Sequence, residues 1–151
     1  MSVIVTDTGF QPDDWTGGYV SPEDLPPDDA PPSPLAVALP SDAHPEALAG
    51  QLDRIAMIRV DFPGPADGRG FTIARRLRLM GFRGRLRAGG HVIADQYAMA
   101  CRAGFDEVEI PDALAARQPE DQWLFRANWR DHDYQARLRL DPDATTPYTQ
   151  R

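Results

Sequence analysis

The sequence predicts an α/β protein: an open, mostly parallel sheet built from successive βα units, with an N-terminal β-hairpin and a proline-rich linker ahead of it. Three observations predict it. Short apolar runs alternate with segments of helical periodicity from residue 35 to beyond residue 110. Strand, helix, strand, helix in one direction requires crossover connections and parallel pairing. Nine of the 15 prolines lie before residue 46, so the chain changes character there. Its 151 residues suit one domain of ordinary size. Four βα units do not close a full eight-stranded barrel, which leaves a half-barrel-like arrangement as the alternative to the open sheet.

The elements follow in order. Val3-Ile4-Val5 and Trp15–Val20 are separated by the turn residues Asp7-Thr8-Gly9 and Gln11–Asp14, which predicts a small hairpin or two edge strands. Residues 21–34 (SPEDLPPDDAPPSP) form neither helix nor central strand, because proline blocks both. Leu35–Leu39 is a short strand ended by Pro40, after which Ser41 or Asp42 is placed to cap a helix over about residues 44–54. Ala56–Phe62 is the next strand, with 58, 60 and 62 apolar, and Pro63–Gly70 is a loop. Ile73, Leu77 and Met80 predict a helix from about Phe71 to Met80, closed by Gly81. Arg85–Ala88 is a strand ending at Gly89-Gly90, and Val92–Arg102 a helix stopped by Gly104. Asp106–Ile110 is the last strand, ended by Pro111; Asp112–Arg117 and Glu120–Trp129 are helical, broken at Pro119. The expected division is therefore a hairpin and acidic linker over 1–34, an α/β domain over 35–140 and a flexible tail over 141–151.

The charge is unevenly spread. All 16 basic residues are arginine, a choice that a GC-rich genome explains, and none precedes Arg54. Residues 1–53 carry ten carboxylates, and the whole chain sums to −7. Residues 69–87 hold seven arginines and no acid. Such a cluster either faces the acidic N-terminal segment or binds an anion or an acidic partner. An acidic pI near 4.8 and the lack of any basic-aromatic motif speak against nucleic acid. Mean hydropathy is −0.46 and no apolar run approaches the length of a membrane span, so no membrane partner is expected. The N-terminus lacks the basic and apolar regions of a secretory signal, which predicts a cytoplasmic protein. The single cysteine, Cys101, allows no intramolecular disulfide, CxxC pair or cysteine-based zinc cluster, and reads as a small packed residue. His44 and His132 show no metal-ligand spacing, so no metal site is expected. Trp15, Trp123 and Trp129 read as core or interface anchors rather than a stacking platform for a flavin.

Ligands of open parallel sheets bind outside the carboxyl ends of the strands. That rule selects Asp61 and Phe62, Gly89-Gly90-His91, and Pro111-Asp112. The loop Asp67-Gly68-Arg69-Gly70 shares this rim and opens a helix. Its glycines let backbone N–H groups approach an anion, the helix start adds positive potential, and Arg69 adds a fork of donors. Sulfate, sulfite, phosphate or a carboxylate would suit it. The competing reading is a tight turn in which Asp67 caps the helix and Arg69 pairs with Asp61. His91, beside two glycines, is a candidate acid, base or ligand. Asp95 is favourable at a helix start whatever else it does, and Gln96 follows it. The anion-binding candidates are thus Asp61, Asp67, Gly68, Arg69, Gly70, Arg87, His91, Asp95 and Gln96. Arg69 and Arg87 would hold the anion and Asp61 would orient an arginine.

Several stretches together resemble one bacterial family. They are Val5–Phe10, Asp14-Trp15, Ile58–Pro63, Ala66–Arg75, Gly84–Gly90, Asp95-Gln96 and Gly104–Asp106. The family is a domain of unknown function, number 934, often labelled "oxidoreductase probably involved in sulfite reduction". The resemblance implies an accessory role in assimilatory sulfite reduction, with a sulfite reductase as partner. It brings no catalytic residues with it, and His91 stands where many members carry Asp. The sequence has no dinucleotide fingerprint, cysteine pair, iron–sulfur spacing or haem motif. A redox role would therefore borrow a partner's cofactor. The alternatives are a flavin- or nucleotide-binding oxidoreductase with an unrecognised site, and a non-catalytic interaction module.

Overall fold

A computed structural model describes residues 2–27 and 34–127. Six strands form one sheet in the order β2-β1-β6-β5-β4-β3. They are β1 (Ser2–Thr6), β2 (Gly9–Pro12), β3 (Ala36–Leu39), β4 (Met57–Phe62), β5 (Arg85–Gly90) and β6 (Glu107–Pro111). β3, β4, β5 and β6 are parallel and lie in chain order; β1 pairs antiparallel with both β6 and β2. The α/β architecture and its N-terminal hairpin are those the sequence predicts. The hairpin adds two strands to the sheet that β3 to β6 form.

The parallel order contains no reversal. Each crossover steps to the next neighbour in the same direction, and crossovers of one hand then place every connection on one face. That face carries α1 (Arg69–Leu79), α2 (Tyr97–Ala103), α3 (Asp112–Arg117) and α4 (Glu120–Arg126). The core lies between the two layers. Ile58, Val60 and Phe62 of β4, Leu86 and Ala88 of β5, and Val108 and Ile110 of β6 meet Ile73, Ala74 and Leu77 of α1 and Tyr97, Ala100 and Ala103 of α2. Phe62 is its hub, with the rings of Phe71 and Phe105 at 5.0 and 5.8 Å. Gly70 makes this possible: a Cβ there would run into the Phe62 ring.

Three local expectations change. The partner of β1 is Gly9–Pro12 rather than Trp15–Val20, because the chain turns back at once at Asp7-Thr8. The Trp15 N–H donates to the Asp13 carboxylate at 2.9 Å and the indole N–H to the Gly18 carbonyl at 2.8 Å, which coils this segment. Only Val20 bridges to Val37 of β3. The helix expected over 44–54 is two short 3₁₀ turns, Pro45–Leu48 and Leu52–Arg54. Gly50, at φ +81°, takes a left-handed turn between them, and Ser41 caps neither. The helix expected over 92–102 begins as a 3₁₀ turn (Ala94–Gln96) before α2, and Gly104 stops it at φ +120°. Within the linker, Pro22–Asp24 forms a single 3₁₀ turn. Residues 28–33, Trp129, His132 and the tail lie outside the described residues.

Gly70→Ala is expected to lower the urea unfolding midpoint. Overpacking against Phe62 costs about 1–3 kcal/mol, more than the gain in helix propensity of up to about 1 kcal/mol. Gly64→Ala, where a Cβ meets open space, should shift stability by less than about 0.5 kcal/mol.

Candidate functional site

The sheet face away from the helices is charged. Register places Arg59, Arg87 and Glu107 in one row across β4, β5 and β6, and Asp61, Gly89, Glu109 and Ile4 in the next. Arg87 is fully buried there. Its Nη1 donates to Asp13, Tyr19 and Glu109 at 3.0–3.1 Å, and its Nε to Glu107 at 2.5 Å. Burial opposes its charge, but Glu107 and the other acceptors outweigh that and hold the guanidinium above its ordinary pKa. Arg85 joins Glu107 to Asp14, and Arg59 reaches Glu109 by lying across Gly89, where a Cβ would strike its guanidinium. The acidic segment around residues 13–14 thus covers this face. Sequence reasoning grouped Arg87 with Arg69; the structure puts Arg87 mid-strand inside this network and Arg69 at the start of α1.

The carboxyl edge of the sheet gathers most of the other candidates. Asp61 points from β4 on the charged face with 47 % of its side chain exposed, and its nearest cation is Arg59 at 3.8 Å. His91 follows β5. Its N–H donates to the Phe62 carbonyl at 2.9 Å, and its ring Nδ1 lies 3.2 Å from the Pro63 carbonyl. Gln96 donates to the Pro65 carbonyl at 2.7 Å while its Oε1 accepts from the Ile93 N–H. His91 and Gln96 therefore hold the loop after β4 from two sides. Gly90, at φ +110°, keeps the backbone close to the Phe62 carbonyl. Asp95 points outward and pairs with Arg126 of α4.

At the other end of this loop, Asp67 accepts from the Arg69 backbone N–H at 3.1 Å, from its Nε at 3.0 Å and from its Nη2 at 2.7 Å. These bonds hold the Asp67 carboxyl well below the usual carboxylate range and raise the Arg69 guanidinium. The partner of Arg69 is Asp67, not Asp61. Arg69 Nη2 also donates to the Ser41 hydroxyl at 2.9 Å. Nη1 has no partner among the described residues, and the side chain is 60 % exposed. Gly68 is the N-cap position of α1. A cleft of about 360 Å³ opens beside Arg69, also lined by Ser41, Asp42, His44, Thr72 and Arg76, and the Asp42 charge acts on Arg69. Arg76 pairs with Glu46 across it. Sequence reasoning treated Ser41 only as a cap and passed over Thr72 and Arg76. The carboxyl-end rule, applied to β3 as it was to β4, points to residues 40–42.

A second cavity, of about 430 Å³, lies at the amino edge between Asp7, Arg78, Arg83, Cys101 and Asp106. The Arg78 guanidinium is consumed there by the carbonyls of Phe82, Gly84 and Gly104 and by Asp106. Burial and a 2.6 Å hydrogen bond to Asp7 push the Tyr97 phenol above its usual pKa. Among the described residues, no group of three or more His, Cys, Asp or Glu side chains could hold a metal ion, and no helix is long and apolar enough to cross a membrane.

Residues 36–142 match the family described as "Bacterial protein of unknown function (DUF934)". The chain belongs to that family. The match begins at β3 and takes in every parallel strand, the Arg69 loop and the arginine-rich stretch. No curated protein matches the chain.

The charged face makes this family member acid-sensitive in a defined way. The Asp14 carboxyl is held below its ordinary value of 3.8, chiefly by the hydrogen bond from Arg85. Its contribution is complete above that value and is lost as pH falls through the depressed one. Urea midpoints followed downward through the carboxylate range should therefore drop less steeply in Asp14→Asn than in the wild type. Arg87→Met, which leaves the buried Glu107 to Arg85 alone and Glu109 to Arg59 alone, should cost about 1–3 kcal/mol at neutral pH.

Proposed function

We propose that the protein is a cytoplasmic accessory protein of assimilatory sulfite reduction that binds a small oxyanion of the sulfite or sulfate type at the Arg69 cleft. The observation that carries this reading is the posture of Arg69. Asp67 and Ser41 fix the plane of its guanidinium, and the two Nη1 donors have no partner among the described residues. Pre-ordering of the fork lowers the entropy lost when an oxyanion is gripped. The start of the 11-residue α1 adds positive potential, and Thr72 and His44 supply further polar groups at the wall. The sulfur chemistry rests on the family resemblance. In this reading His91 and Gln96 are positioning residues that hold the loop after β4, and any electrons come from a partner's cofactor.

A deletion strain should fail to grow on sulfate or sulfite and recover on cysteine. The wild-type gene should restore growth, and Arg69→Ala should not. In calorimetric titration with sulfite, Arg69→Ala should lose at least about tenfold in affinity with an unchanged unfolding midpoint. Normal growth of the deletion strain on all three sulfur sources, or unaltered sulfite binding by Arg69→Ala, overturns the assignment.

A further inference from the structure

From Arg69 to Arg87 inclusive the chain holds seven arginines and no acid. Five have partners already described: Arg69, Arg76, Arg78, Arg85 and Arg87. Arg75 and Arg83 form no ion pair or hydrogen bond with any described residue. Midway between them in the chain is Leu79, 81 % exposed. It follows Arg75 by four residues and so shares its outer stripe of α1. The neighbouring helix α2 adds Met99, 52 % exposed. α1 and α2 pack against each other.

We propose that this stripe, Arg75, Leu79, Arg83 and Met99, docks an acidic protein partner that presents an apolar side chain between carboxylates. The chain as a whole carries −7, so two cations without a partner among the described residues, on either side of an exposed leucine, do not follow from its general charge. Unpaired arginines steer an acidic surface and fix its register. Leu79 and the adaptable Met99 supply an apolar anchor, the part of an interface that carries most of its energy. None of the four residues bonds the Arg69 fork, so the inference stands apart from the oxyanion reading.

The test is an amide-shift titration of the ¹⁵N-labelled full chain with a synthetic amphipathic helix in which leucines are flanked by glutamates. A counterpart carrying lysine at the glutamate positions serves as control. Shifts should centre on residues 72–83 and 98–102, weaken at high salt and be absent with the lysine peptide. Leu79→Ser and the pair Arg75→Glu, Arg83→Glu should each weaken binding by about tenfold or more. All three positions are exposed, so the amide spectra of the variants should otherwise match the wild type. Their sulfite titrations should be unchanged, which separates this surface from the cleft. Shifts centred elsewhere, equal binding of the lysine peptide, or no binding at millimolar peptide overturns the proposal. So does a concentration-dependent dimer dissolved by Leu79→Ser, since the face would then join two copies of the chain.

Discussion

Arg87 sits in the middle of a central strand with no exposure to water, and a guanidinium there is stable only if several acceptors surround it. β6 supplies two of them, Glu107 and Glu109, because parallel register places those carboxylates beside β5. The others, Asp13 and Tyr19, come from a segment more than sixty residues away in the chain. The placement of residues 13–20 over the sheet follows from that demand. So does the need for glycine at position 89, across which Arg59 reaches its own carboxylate. One buried cation thus couples the N-terminal segment to the second face of the sheet.

Among the described residues, helices cover one face of the sheet and an ion network occupies the other. Chemistry is displaced to the edges and to the outer surface of the helices. At the carboxyl edge, the loop after β4 is tied at Pro63 and Pro65 and ends in the Asp67–Arg69 turn, so Arg69 is presented on a braced support. That bracing is the kind of second layer that keeps a binding group in one geometry. The exposed stripe of α1 lies on the opposite side of the core from the Arg87 network, and the two use different arginines of one cluster.

Part of this was legible in advance. Glycine beside a helix start and an arginine in the same loop marked residues 67–70, and the carboxyl-end rule brought His91 and Gln96 to the same edge. Arg87 was misplaced because alternation along β5 tells which residues share a face but not what covers that face. Ser41 was read locally, as a helix cap, and the helix it would have capped does not form. Its actual partner, Arg69, is 28 residues on and becomes its neighbour only when β3 and β4 pair.

The sequence by itself determined the α/β class, the parallel run of strands and the stops at Gly81 and Gly104. Period-two and helical periodicities and backbone freedom at glycine are properties of short stretches. Tertiary structure alone decided the strand order, the partner of β1 and the fate of each arginine. Seven arginines within nineteen residues have the same side chain and nearly the same local setting. What separates the buried Arg87, the braced Arg69 and the exposed Arg75 is which groups the fold brings within reach, and that is a property of the assembled layers.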